Sequence, residues 1–138
     1  MKRVTFKLFS TLSLVGFSLV PATYAADSQK VKVDVPFAFN AGSKTLPAGT
    51  YSIIGSGSGA LRIMGQDRMA VLSNAARANK ASSQTKVVFH RYGDQCFLES
   101  IWVEGNQDGT EVVRSHRERE LARGNARPDL LMLVGRLR

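Results

Sequence analysis

The stretch KVVFHRYGDQCFLESIWV, Lys86 to Val103, constrains the fold of this chain more than any other. Two runs rich in β-branched and aromatic residues flank Gly93-Asp94, and a two-residue Gly-Asp connection between such runs is a tight-hairpin signal. Pairing Tyr92 with Gln95 sets Arg91 opposite Cys96, His90 opposite Phe97 and Phe89 opposite Leu98. One face then carries Val87, Phe89, Cys96, Leu98 and Trp102, and the other carries Val88, His90, Tyr92, Phe97 and Ile101. Both faces are largely apolar. The hairpin is therefore expected at the centre of a β-domain, with some of its aromatics covered by a neighbouring loop or helix.

The flanking sequence extends the β pattern. VKVDVPFAF alternates Val31, Val33, Val35, Phe37 and Phe39 with Lys32, Asp34, Pro36 and Ala38, the period of a half-buried strand. Pro36 lacks an N–H for the ladder, which predicts an edge or a bulge. NAGSKTLPAG reads as a polar turn and a second turn at Pro47 to Gly49, followed by a strand from Thr50 to Ile54. ALRIM and MAVLS read as short strands around the turn GQDR. GSGSGA comes near a dinucleotide-binding fingerprint, but that motif needs a helix N-terminus facing the pyrophosphate, and LRIM is short and strand-like. A flexible hairpin connection is the reading that glycine and serine support. Asn74 to Thr85 has no apolar face and reads as a long exposed loop, at most with a helical turn.

Towards the end, SHRERELARG is marked as a helix at both termini. Ser115 and Glu118 form a capping box, Gly124 stands at the place of a left-handed C-cap, and Leu121 is the main apolar anchor. In PDLLMLVGRLR the periodicity does not separate strand from helix, and the shortness of the apolar run favours a strand. The fold class expected is all-β: a small antiparallel barrel or sandwich of about 7–8 short strands, with one short helix near the C-terminus.

Residues 1–25 carry the marks of a secretory signal peptide. Lys2, Arg3 and Lys7 precede the apolar LFSTLSLVGFSLV, and PATYA puts Thr23 and Ala25 at the positions a signal peptidase reads. The apolar core is shorter than the roughly 20 residues a spanning helix needs. The expectation is a signal peptide over 1–25, a single β-rich domain over 26–138 with no transmembrane segment, and export to the periplasm or beyond the cell. Cys96 is the only cysteine, so no intramolecular disulfide forms, and it reads as a small apolar residue on a strand.

Three stretches together, VDVPFAFNAGSKTLPAGTYSI, KVVFHRYGDQCFLESIW and SHRERELAR, resemble a group of small exported bacterial proteins of unknown function that carry VPFAF…LPAGTY and FHRYGD-type motifs. The resemblance implies a compact all-β domain with one late helix, behind a signal peptide, in bacteria with two-membrane envelopes. It implies no activity, ligand or catalytic residue. Cys96 stands where an aromatic would suit that motif better, which argues against an essential thiol.

The candidate chemistries narrow quickly. His90, Asp94 and Cys96 imitate a Cys-His-Asp set, but a base must come within about 3 Å of its nucleophile, and the register sends His90 and Cys96 to opposite faces. No catalytic residue is assigned, and a hydrolase is disfavoured. Two histidines and one cysteine are too few for the usual three- or four-ligand metal sets, so neither metal nor cofactor is expected. His116 and Glu120, four apart, read as a solvated pair rather than a chelate.

The formal net charge is +8, and the arginines crowd towards the C-terminus. Arg114, Arg117, Arg119 and Arg123 lie on or beside the helix, and guanidinium groups suit phosphate and carboxylate oxygens, so these four are the candidate ligand-binding residues. Anionic envelope polymers or lipids are the expected partners. Nucleic acid is not, since an exported chain rarely meets it and no exposed aromatics interleave for base stacking. The functional expectation is a non-enzymatic, envelope-associated binding or structural module, with a small-ligand carrier using the interior of the β-domain as the alternative.

Overall fold

The structure is a computed structural model that describes residues 29–56, 59–124 and 127–138. Residues 1–25, where a signal peptide is expected, lie outside the described residues. Eleven strands and one helix run through the described residues in the order β1 (Lys30–Val35), β2 (Phe39–Ala41), β3 (Lys44–Leu46), β4 (Gly49–Ser56), β5 (Ala60–Met64), β6 (Arg68–Arg77), β7 (Lys86–Tyr92), β8 (Gln95–Trp102), β9 (Asp108–Val112), α1 (His116–Arg123), β10 (Asp129–Val134) and β11 (Arg136–Leu137). No helix among them is long and apolar enough to cross a membrane.

The strands pair in the order β10-β7-β8-β9-β6-β5-β4-β1-β11, with β2 joined to β3 and β8. β6 is shared by two halves of this sheet. Its residues Arg68 to Leu72 pair with β5, and Ser73 to Arg77 pair with β9. The halves fold over one core, to which Val31, Ile53, Leu61 and Ile63 contribute from one side and Phe89, Leu98, Ile101 and Val112 from the other. At one end of this core the β2–β3 hairpin packs Phe39 edge-on against Tyr51 and Phe89, at ring separations of 5.2 and 5.3 Å.

The chain is mostly β with one short helix, as its periodicity requires, but two finer expectations are corrected. Among the described residues there are eleven strands rather than 7–8, because short local pairings form where the sequence reads as turn. NAGSKTL folds into β2 and β3 around Gly42, whose φ of 59° suits the tight reversal. β9 forms directly after the turn in GNQDGT, and Gly135 cuts the last strand into β10 and β11. VKVDVPFAF is likewise two strands, broken at Pro36, and Asn74 to Arg77, expected in a loop, completes β6.

The second correction concerns closure. The sheet is open and not a closed barrel: its path ends at β10 and β11, which are joined through Gly135 and not by a ladder. A side chain at Gly135 would put its Cβ 2.6 Å from Val31 Cγ1. Glycine thus lets the backbone leave β7 and reach β1 at a point where nothing larger fits. Among the described residues β10 pairs with β7 alone, and β11 pairs only with Val31 and Lys32 of β1.

Candidate functional site

The β7–β8 hairpin keeps the register read from its sequence, with Tyr92 opposite Gln95 and Phe89 opposite Leu98. Beyond that point the ladder slips. Val88 pairs with Ser100, so Glu99 is an extra residue, a β-bulge that exchanges the faces of the residues after it. Ile101 therefore enters the core beside Val87, and Trp102 turns outward, opposite to the expected assignment. The indole packs on Gly109, where a Cβ would lie 2.6 Å from the ring, and its N–H donates to Ser100 Oγ at 2.9 Å.

The outer face of the hairpin is covered by α1, and this contact is a polar one. Glu118 is 4% exposed, while Leu121, the expected anchor, is only half-buried. Glu118 Oε1 lies 3.0 Å from His90 Nδ1, 3.5 Å from the Tyr92 hydroxyl and 4.0 Å from Arg114 Nε. An ionised carboxylate only accepts hydrogen bonds, so towards the charged form of Glu118 the donor is His90 Nδ1–H. Burial raises the Tyr92 hydroxyl pKa above its ordinary value; the Glu118 charge adds to this and the Arg114 charge opposes it.

Only half of the expected capping box forms. Ser115 Oγ accepts from the Glu118 N–H at 3.2 Å, while the Glu118 side chain turns inward to His90. Gly124 caps the other end with φ −76°, outside the left-handed region, its N–H donating to the Leu121 carbonyl at 3.2 Å.

The four arginines do not form one patch. Arg114 leans towards the buried Glu118. Arg117 and Arg119 are exposed and flank the buried Glu118 position, each about 100° from it around the axis of an ideal helix. Arg123 is exposed one turn beyond Arg119. Among the described residues no ion pair engages Arg117, Arg119 or Arg123, whereas Glu120 pairs with His116 at 2.9 Å on the solvated side.

The catalytic imitation is not assembled. Cys96 is buried in the core cluster, and burial pushes its thiol pKa up; Arg91 opposes this, and Asp94 adds to it. His90 faces the other way, to Glu118. Among the described residues no group of three or more His, Cys, Asp or Glu side chains is placed to hold a metal ion.

Sequence reading named as candidate site residues none of those that line a cavity of about 270 Å³ bordering the core. Val31, Ile53 and Ile101 line its apolar part, and Ser73, Asn74 and Thr110 its polar part. Among the described residues Asp108 is the one charged side chain in the lining, and Arg77 pairs with it at 3.5 Å. Gly55 and Gly59 of the glycine-rich connection also border it. That connection leads into strand β5, which leaves no helix terminus for a phosphate.

Comparison with family models, with curated proteins and with solved structures finds no similarity to this chain. The reading of function therefore rests on the cavity, the helix and the exposed surface themselves. The local signal for the cavity was weak: Ser73 ends the strand MAVLS, Asn74 and Thr110 sit in stretches that read as loop and turn, and only the divergence of β6 from β5 to β9 brings them to one rim.

Proposed function

We propose that this chain is an exported, non-catalytic binding module of the bacterial envelope that carries a small, uncharged, partly apolar ligand at the open end of its β-domain. The observation that carries this reading is the cavity of about 270 Å³, with an apolar floor, an uncharged polar rim and its one acid already paired. Its volume is near the lower end of small-molecule sites, roughly 300–1,000 Å³. Export rests on the signal-peptide pattern of residues 1–25, and kinship rests on the motifs shared with small exported bacterial proteins of unknown function.

Trp102, the only tryptophan, provides the assay, because its ring packs on Gly109, which lines the cavity. Titration with octanol, glycerol monooctanoate and octyl glucoside below their micellar concentrations should shift its emission saturably for at least one probe. Ala75→Phe, placed in the lining, should weaken that binding at least tenfold. A flat titration with all three, or equal binding by the variant, refutes the carrier reading.

A second reading, a contact with anionic envelope polymers through the helix, is favoured by Arg117, Arg119 and Arg123, which are exposed and unpaired among the described residues. Their joint replacement by Gln should reduce retention on polyphosphate more at low salt than at high salt, since screening is weakest there. Equal retention removes this reading and leaves the cavity untouched.

A further inference from the structure

We propose that the outward face of the C-terminal segment is a docking surface for a bilayer containing anionic lipid. Leu130, Met132 and Val134 alternate on β10 and are 61%, 59% and 66% exposed. Three large aliphatic side chains in one exposed row are what a folded chain normally buries, and their inward neighbours Leu131 and Leu133 do pack on the core.

The surrounding charge identifies the occupant. Directly paired residues share a face of a sheet. Val134 pairs with Lys86, and Arg136 pairs with Lys32, so these two lysines stand on either side of the row. Gly135 points towards Val31 in the core, which keeps the alternation in step, and Arg136 and Arg138 continue the outward series. None of these four cations has an ion-pair partner among the described residues. Asp34 is an acid on this face, and it accepts from the Thr50 hydroxyl at 2.6 Å. Lys32, Asp34, Val134, Arg136 and Arg138 border a groove of about 360 Å³ between β1 and the last strand.

Three aliphatic side chains beside four free cations match an interface where acyl chains begin below phosphate-bearing headgroups. A second copy of this face would set its four cations against the same four. A soluble polyanion would neutralise the charge but leave the aliphatic row in water. The anionic bilayer satisfies both features, and it does so without the cavity or the α1 arginines.

The test is co-sedimentation of the protein, purified from cells that produce it, with phosphatidylcholine vesicles and with vesicles in which about a third of the lipid is phosphatidylglycerol. Wild type should bind the anionic vesicles at least tenfold more tightly than the neutral ones. Replacing Leu130, Met132 and Val134 by Ser should weaken that binding at least tenfold, and so should Lys32→Gln with Arg136→Gln and Arg138→Gln, both with melting temperatures near wild type. If the serine variant melts early, Met132→Ser alone carries the test. Unchanged binding by either set, equal binding to neutral vesicles, or light scattering that shows a dimer abolished by the serine changes would overturn the proposal.

Discussion

Replacing Glu118 by alanine should destabilise the domain by about 3 kcal/mol. The residue is buried, and its carboxylate is the partner of a buried His90 at 3.0 Å. Losing one hydrogen bond to a charged group costs about 1.5–3 kcal/mol, and breaking a buried pair from one side costs about 3–5 kcal/mol because the other member stays behind. The N-cap survives, since it uses the Glu118 backbone N–H and not the side chain. At roughly 4 °C per kcal/mol for a domain of this size, the midpoint of thermal unfolding followed by circular dichroism should fall by about 12 °C.

Two further variants separate this account from a simple capping box. Gln serves a capping box as well as Glu, so Glu118→Gln would be nearly neutral if that were its role; facing His90, it should cost about 1 kcal/mol. Joint replacement of Glu118 by Leu and His90 by Phe should recover most of the loss, because apolar groups of similar shape replace a buried pair well. An alanine variant within about 0.5 kcal/mol of wild type, or additive effects in the Glu118–His90 double-mutant cycle, would rule the buried pair out as the anchor of the helix.

Gly135→Ala should lower stability by about 1–3 kcal/mol, the usual cost of overpacking, because its Cβ would lie 2.6 Å from Val31 Cγ1; chemical denaturation measures it, and a neutral result would mean that β1 and the last strand separate freely. Cys96, buried and with a raised thiol pKa, should react with iodoacetamide at neutral pH only as fast as the domain opens, and much faster in urea. Cys96→Ala should cost on the order of 1 kcal/mol and leave ligand binding intact; loss of binding at unchanged melting temperature would restore a role for the thiol.

Features that depend on neighbours along the chain are legible in the sequence. Alternation in KVKVDV, the Gly93-Asp94 reversal with its register, the strand–turn–strand at GQDR and the Ser115 N-cap are all set within a few residues by side-chain period and backbone preference. The all-β class with one late helix is a consequence of those local rules. Each remaining feature needs a partner distant in sequence, so only the folded chain settles it. The bulge at Glu99 exchanged Ile101 and Trp102 between faces, and no local pattern registers one extra residue in a ladder. Glu118 became the anchor of α1 only because His90 and Tyr92 lie beneath it, so a residue that looked like half of a capping box was taken by a stronger partner. The passage of the last segment from β7 to β1 depends on Gly135 meeting Val31, and the cavity depends on β6 parting from β5 to join β9. The helix arginines were legible as charges, but their spread around the axis is geometry, and the unpaired cations beside Leu130, Met132 and Val134 came together only when the last strand crossed from β7 to β1.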